Sequence, residues 1–172
     1  IPEQRLSISG SYRIERFAGK HYDVEGPVFV ALSSNSAIST EMMAAVALAR
    51  NGKRTFAVKD HPMYPFAFTE TDDIRRTHKT IPESPGISAV FFGTGLSGLE
   101  GLLSGTPTYR LLPSDRLGID TLPAGCLAET VSAAGLAAAL DANPQLPDVR
   151  WDDLFNPVDL SVWRHHLSGS ET

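Results

Sequence analysis

Four short runs of apolar residues, rich in β-branched and aromatic side chains, are separated along the chain by polar segments that contain glycine or proline. The first three read PVFVALS (residues 27–33), TFAVK (residues 55–59) and SAVFF (residues 88–92). The fourth, residues 107–112, follows a Gly-Thr-Pro break. Continuous apolar runs of this length predict strands that are buried on both faces, as in a parallel sheet.

Helical patterns alternate with these strands. The predicted helices span residues 40–51, 96–104, 126–142 and 159–167. Ser39 or Thr40 is a suitable N-cap for the first helix, and Gly52 is a suitable stop. Residues 63–85 show no clear period, and residues 115–125 read as an extended loop. Strands that alternate with helices predict an α/β fold, here a Rossmann-like parallel sheet with helices on both faces.

The length and composition of the chain favour one domain. Its 172 residues, 42% of them hydrophobic, can bury a substantial core. We therefore expect residues 1–172 to form a single domain, with residues 1–20 as a lead-in and residues 157–172 as a C-terminal helix and tail. Because the sequence begins with Ile-Pro-Glu rather than Met, we expect it to be a fragment of a longer protein.

Charge and cysteine content narrow the function class. A formal net charge of −5 argues against a nucleic-acid surface, because binding to the phosphate backbone requires a basic face. A small local anion site remains compatible with that charge. The only cysteine, Cys126, cannot form an internal disulfide, which favours a reducing, cytoplasmic setting. No apolar run has the length of a membrane span.

Polar residues follow three of the predicted strands at the point where each strand ends. Ligands of parallel α/β proteins bind beyond the carboxyl ends of the strands, so these residues form the candidate site. In chain order they are Ser33, Ser34 and Asn35, then Asp60 and His61, then Thr94, Gly95, Leu96 and Ser97.

The third of these groups belongs to a glycine-rich turn that opens a helix. Such a turn presents backbone N–H groups to a phosphate. Its sequence, GTGLSG (residues 93–98), also matches the dinucleotide pattern GxGxxG, with Asp115 or Asp120 as the ribose-binding acid. However, that fingerprint normally follows the first strand of its unit, and here two strands precede it. The alternative is that the glycines only permit a tight turn and close packing of helix on sheet; we favour phosphate contact.

Other polar residues near these strand ends have a functional and a structural interpretation. An imidazole at His61 can donate to a phosphate oxygen, whereas its structural role would be to cap a strand or helix. Glu100, in the first turn of the helix after the glycines, can accept from sugar hydroxyls or simply favour the helix dipole. Lys59 and Arg110 can supply positive charge near the site, or remain solvated.

Three phrases in this order resemble a known family. They are SSNS at residues 33–36, KDHP at residues 59–62 and SGLEGLLSGTP at residues 97–107. With them, the chain resembles the C-terminal, donor-binding domain of GT-B type glycosyltransferases. The similarity is to bacterial surface-carbohydrate and capsule enzymes, sialyltransferase-like and Kdo-transferase-like. The resemblance implies that the chain forms one half of a GT-B fold.

The resemblance implies a nucleotide sugar as donor substrate, with no cofactor and no metal. Its nucleotide and phosphates would contact the His-Pro pair and the serine-bearing turn. The candidate nucleotide- and phosphate-binding residues are Ser33, Ser34, Asn35, His61, Thr94, Gly95, Leu96, Ser97 and Glu100. Leu96 departs from the paired serines that sialyltransferase-like members often have.

In that family the acid/base residue belongs to an N-terminal, acceptor-binding domain. The resemblance therefore implies no catalytic residue in this fragment, and activity as a glycosyltransferase only in the intact protein. The expected partners are the nucleotide sugar and that N-terminal domain, without nucleic acid or an integral membrane segment. The expected location is the cytoplasm, with the inner face of the membrane as one place of action in surface-polysaccharide biosynthesis.

Three other functions remain open from the sequence. The GxGxxG match suggests an NAD-binding Rossmann oxidoreductase domain, and a sugar-nucleotide epimerase shares the two-domain plan. A non-catalytic interaction domain would have kept the fold and lost the ligand, and would expose an apolar docking patch. Titration with nucleotides and with NAD(H) separates the oxidoreductase domain and the interaction domain from the glycosyltransferase, whereas the epimerase is harder to exclude.

Overall fold

The computed structural model describes residues 21–161 and residue 164. The chain divides into two compact units, one of Gly19–Val149 and one that combines Ile1–Ala18 with Arg150–Thr172. The predicted lead-in, residues 1–20, and most of the predicted C-terminal helix and tail lie outside the described residues. In the second unit, a short helix at Trp151–Leu154 ends where the rings of Trp151 and Phe155 pack with centroids 5.5 Å apart.

Six strands in the first unit form one parallel sheet. They are Val28–Ala31 (β1), Phe56–Lys59 (β2), Ile74–Arg76 (β3), Ala89–Phe92 (β4), Thr108–Leu111 (β5) and Glu129–Val131 (β6). Their order across the sheet is β3-β2-β1-β4-β5-β6, which is the strand order of a Rossmann sheet. The predicted fold class, a Rossmann-like parallel α/β sheet, is confirmed.

Helices cover both faces of this sheet. They are Ser36–Ala49 (α1), Ser97–Leu103 (α2) and Leu136–Asp141 (α3). The short helix Trp151–Leu154, which belongs to the other unit, is labelled α4. One core cluster joins α1 and the start of α3 to Val28, Val30 and Phe91. On the opposite face, α2 packs directly on Phe92 and Val90. Because successive side chains of a strand point to opposite faces, β1 and β4 are buried on both sides.

The first helix begins four residues earlier than predicted. Neither Ser39 nor Thr40 caps it: the N-cap is Asn35, whose side-chain oxygen accepts hydrogen bonds from the N–H groups of Ala37 and Ile38. Ser39 instead lies inside the helix and donates its hydroxyl to the carbonyl of Ser33. The polar SSNS phrase is thus partly the first turn of a helix rather than a free loop.

Two strands were not predicted. Strand β3 lies within the segment that shows no period, and it is an edge strand of only three residues. Arg50, which follows α1, holds the residue before β3 through two hydrogen bonds of 2.6 and 2.7 Å to the carboxylate of Asp73. That guanidinium and the Thr71 hydroxyl lower the pKa of Asp73. The edge strand is thus positioned by its pairing with β2 and by a tertiary ion pair, neither of which local periodicity reveals.

The predicted helix of residues 126–142 is wrong in its first half. There Glu129–Val131 pairs with β5 as strand β6, and a 3-10 turn at Ala133–Gly135 precedes α3. The alanine-rich composition favours a helix, but the sheet edge offered by β5 provides backbone hydrogen bonds and a place to bury Val131. Tertiary pairing therefore outweighs intrinsic helix propensity in this segment.

No helix among residues 21–161 is long and apolar enough to cross a membrane.

Candidate functional site at the switch point of the sheet

The sheet order places two turns side by side at the carboxyl ends of β1 and β4. Strands β1 and β4 are neighbours although two strands separate them in the chain. The chain leaves β1 through α1 on one face of the sheet and leaves β4 through α2 on the other. At such a switch point the two connections diverge and leave a crevice beyond the carboxyl ends of the strands, where Rossmann-like proteins bind ligands.

The two turns are joined by a pair of hydroxyl groups. Ser33, after β1, is buried, and its Oγ lies 3.2 Å from Oγ1 of Thr94, after β4. The same Ser33 oxygen accepts the N–H of Asn35 at 3.1 Å. The structure therefore brings together two of the predicted polar groups, and the contact is at the switch point itself. Ser34, which lies between Ser33 and Asn35 in the first turn, is exposed.

Asn35 divides its amide between two roles. Its oxygen is used by the N–H groups at the start of α1, which satisfies donors that would otherwise lack partners. Because the oxygen is committed, the NH₂ end is the part that can donate to a ligand. The 14 residues of α1 also place the positive end of its helix dipole at this turn, which favours a negative group there.

The glycines in the second turn and in the helix that follows it have different structural roles. A Cβ at Gly98 would lie 2.3 Å from the Phe92 ring, and one at Gly101 would lie 2.6 Å from the Thr108 hydroxyl, so both allow α2 to sit close on the sheet. Gly93 similarly allows contact with Ile38 of α1. Gly95 differs, because its φ is +101° and nothing lies within 4 Å of a Cβ position. The packing explanation thus accounts for three glycines, and Gly95 serves the turn itself.

The remaining candidates of this turn follow Gly95. Leu96 is the N-cap residue of α2, makes no side-chain cap and is 37% exposed, whereas Ser97 is the first helical residue. Glu100 lies in the first turn of α2, and its N–H donates to the carbonyl of Leu96. Leu96 therefore places a partly exposed apolar side chain at the start of α2.

His61 lies at the same edge, one strand away. Its Nδ1 accepts the N–H of Met63 at 3.3 Å, and its ring packs on exposed Tyr64 with centroids 5.3 Å apart. An imidazole that accepts at Nδ1 carries its proton at Nε2 when neutral, so Nε2–H is the remaining donor of the ring. Within residues 21–161, no hydrogen bond joins His61 to either turn. The structure thus places His61 at the expected edge without contact to the Ser33–Thr94 pair.

The other polar groups at this edge are committed to the protein. Lys59 Nζ donates to the carbonyls of His78 and Lys79 at 2.8 and 3.0 Å. Asp60 forms an ion pair with Arg76 and accepts the N–H of Phe66. These contacts organise the connection from β2 to β3, so Lys59 is not a free cation for a ligand.

Arg110 has weaker partners. Its Nη1 lies 3.3 Å from the Asp120 carboxylate, and its Nη2 donates to the Thr130 hydroxyl at 3.3 Å. Its side chain is 14% exposed, and Nη1 is buried without a hydrogen-bond partner in the part of the chain that the structure describes. Charge-assisted bonds of arginine are usually 2.7–2.9 Å long. Of the two predicted cations, Arg110 is the one whose hydrogen-bonding capacity is not filled.

Thr121 is a residue that the sequence did not single out. It lies in the predicted loop of residues 115–125, yet its Oγ1 accepts the N–H of Gly95 at 3.2 Å and lies 3.3 Å from the carbonyl oxygen of Gly95. No local pattern signals this contact, since 26 residues separate the two positions. The loop between β5 and β6 thus belongs to the candidate site.

The described residues contain no group of three or more His, Cys, Asp or Glu side chains that could hold a metal ion. Cys126 is buried, and burial raises the pKa of its thiol, which disfavours the nucleophilic thiolate.

A second concave region lies at the opposite end of the strands, where β5 and β6 begin. It is a cavity of about 330 Å³ lined by the end of α2, the starts of β5 and β6, and residues 144–148 after α3. Its two acidic lining residues are Glu129 and Asp148. This lining would repel a phosphate, so the cavity does not compete with the crevice as an anion site.

The chain was also compared with known proteins. No protein-family model, no curated protein and no solved structure matches it. The functional conclusion therefore depends on the crevice and its chemistry.

Proposed function

We propose that this chain is the donor-binding domain of a GT-B type glycosyltransferase of surface-polysaccharide biosynthesis, and that it binds a nucleotide sugar in the crevice between β1 and β4. The observation that carries the proposal is the contact of Ser33 with Thr94, which joins the two turns at the switch point. Hydroxyls, a helix N-terminus and a glycine turn together suit a phosphate-bearing ligand.

The proposed chemistry concerns the leaving group. Cleavage of the bond between sugar and nucleotide leaves negative charge on phosphate, so donors aimed at that charge lower the barrier. His61 Nε2–H, the Ser97 hydroxyl and the backbone N–H groups of the glycine turn are the proposed donors. The acceptor and the acid/base residue would belong to an N-terminal domain, so this chain binds the donor and does not complete transfer alone.

The position of the glycine turn bears on the alternative of an NAD-binding domain. The GTGLSG run follows β4, whereas the dinucleotide fingerprint follows the first strand of a Rossmann unit. After β1 this chain has Ser33 and Ser34 and no glycine. These features favour a nucleotide sugar over NAD.

The test is ligand choice by the 172-residue chain. CMP, CDP, UDP, GDP and NAD(H) are titrated while the thermal midpoint and the heat of binding are measured. We expect at least one cytidine, uridine or guanosine nucleotide to raise the midpoint. His61→Ala should weaken that binding about 10-fold, the value of one hydrogen bond to a charged group, without lowering the midpoint of the free protein.

His78→Ala is the matched control, because His78 is an exposed histidine of the neighbouring connection. Binding of NAD(H) alone would reverse the assignment in favour of an oxidoreductase domain. If none of the nucleotides binds, a non-catalytic interaction domain becomes the better account.

A further inference from the structure

Two consecutive residues of the β5–β6 loop contact two separate donors of the candidate site. Thr121 holds the backbone of Gly95, and Asp120 faces Arg110. The other carboxylate oxygen of Asp120 accepts the N–H of Leu122 at 3.0 Å, and Leu122 packs on the core beneath the loop. The loop is thus anchored on one side, and it presents a carboxylate and a hydroxyl to the site.

Both donors are of the kind that binds phosphate. The N–H of Gly95 belongs to a residue with φ +101° in open surroundings, where a ligand atom can approach the backbone closely. The guanidinium of Arg110 is suited to phosphate oxygens by its charge and planar shape. The oxygens that now face these donors belong to a hydroxyl and a carboxylate, and they accept from the donors as phosphate oxygens would.

The contacts are also long. The distance from Gly95 N to Thr121 Oγ1 is 3.2 Å, and that from Arg110 Nη1 to Asp120 Oδ2 is 3.3 Å. The second of these leaves Nη1 without a hydrogen bond among the described residues, although Nη1 is buried. A buried donor without a partner costs free energy that a better acceptor would recover. Both contacts are therefore weak enough to be exchanged.

We infer that Asp120 and Thr121 form a clasp, held on Arg110 and Gly95, which a phosphate group displaces when it binds at the glycine turn. The inference rests on the proposed function, because it requires a phosphate-bearing ligand in the crevice. It assigns Arg110 as a further phosphate-binding residue and Asp120 as its competitor.

The clasp predicts opposite effects from residues in direct contact. Asp120→Asn weakens the hold on Arg110 and should tighten binding of inorganic pyrophosphate and CDP about 3- to 10-fold. Thr121→Val frees the Gly95 N–H without a change of charge and should tighten binding about 2- to 5-fold. Arg110→Gln removes a donor and should weaken binding about 10-fold or more. If the Arg110 variant does not fold, the other two still decide the matter.

Asp115→Asn is the matched control for the loss of one negative charge. Asp115 lies in the same loop, and its carboxylate is paired with neighbouring Arg116. Affinities are measured by calorimetry on the 172-residue chain, and each thermal midpoint is recorded without ligand. We expect Asp115→Asn to bind both probes as the wild type does.

The outcomes separate the clasp from the proposed function. Tighter binding by both Asp120→Asn and Thr121→Val, relative to Asp115→Asn, supports the clasp. If the wild type binds either probe and one of these two variants is not tighter than the control, the clasp is wrong, and the proposed function stands where CDP or another nucleotide binds. If no form of the chain binds pyrophosphate or any nucleotide, both proposals are wrong.

Discussion

At the scale of single residues, glycines of one short turn serve unrelated purposes. Position 98 requires glycine because the ring of Phe92 occupies the space that a side chain would need. Position 95 favours glycine because its backbone adopts a positive φ, although the space around it is open. The first requirement concerns packing density and the second concerns conformation. The pattern GxGxxG does not distinguish them, and only the atoms around each position reveal which requirement applies.

This difference predicts that Gly98→Ala lowers the stability of the protein. Its Cβ would meet three atoms of the Phe92 ring at 2.3 to 2.8 Å. Overpacking of a well-filled core typically costs about 1–3 kcal/mol, which urea denaturation measures as a lower midpoint with an unchanged slope. Gly118→Ala is the control, since its nearest neighbour is at 3.4 Å. Equal midpoints for the two variants would contradict the packing role.

At the scale of elements, the sequence predicts what is locally encoded. The buried runs that became β1, β2, β4 and β5 are continuous and apolar, and each was predicted. Strand β3 consists of only three residues, Ile-Arg-Arg, which is too short to show an alternating pattern. Its pairing with β2 is visible only in the structure. Strand β6 lies in a segment whose alanines favour a helix, and it forms because β5 provides an edge. Short edge strands depend on partners that local sequence does not describe.

The start of α1 carries a prediction at this scale, because its cap is also a candidate ligand residue. Asn35→Ala should lower stability by about 0.5–2 kcal/mol, since two N–H groups lose their acceptor. Asn35→Asp keeps an acceptor of equal capping strength but removes the NH₂ donor and adds a negative charge. It should therefore retain the stability and weaken nucleotide binding.

The two Asn35 variants are compared by thermal unfolding and calorimetric titration. Asn143→Ala serves as the control for the loss of an exposed asparagine. Unchanged stability in Asn35→Ala would show that the cap is dispensable. Unchanged ligand affinity in Asn35→Asp would remove Asn35 from the candidate site.

At the scale of the whole molecule, the candidate site is a product of topology. The polar groups after the strands could be predicted to share one edge, because all strand ends of a parallel sheet do. The contact between Ser33 and Thr94 required more, namely that β4 returns to lie beside β1. The contact between Thr121 and Gly95 required the path of a loop with no regular structure. Predictability thus depended on whether regular strands position both partners, not on their separation in sequence, which is 61 residues for Ser33 and Thr94 but only 26 for Gly95 and Thr121.

The packing of α3 on the sheet predicts how the stability of the folded protein changes at alkaline pH. Tyr109 of β5 donates its hydroxyl to the carbonyl of Ala139 in α3 at 3.1 Å. Burial, followed by the nearby charge of Glu129, raises the pKa of this phenol above its usual value of 10.0. The folded protein therefore retains the phenol proton at a pH where the unfolded chain loses it. Folding stability should be intact below about pH 10 and fall as the pH rises from there through the folded pKa.

Tyr109→Phe removes both the hydrogen bond and the ionisable group. At pH 7 the variant should be less stable by about 0.5–1.5 kcal/mol, the usual value of one such bond. Above pH 10 the difference should shrink, because only the wild type loses stability through this phenol. Urea denaturation from pH 7 to 11 measures both effects, with exposed Tyr64→Phe as the control. A difference that stays constant with pH would mean that ionisation of Tyr109 is not linked to unfolding, and that the sheet does not shield this phenol.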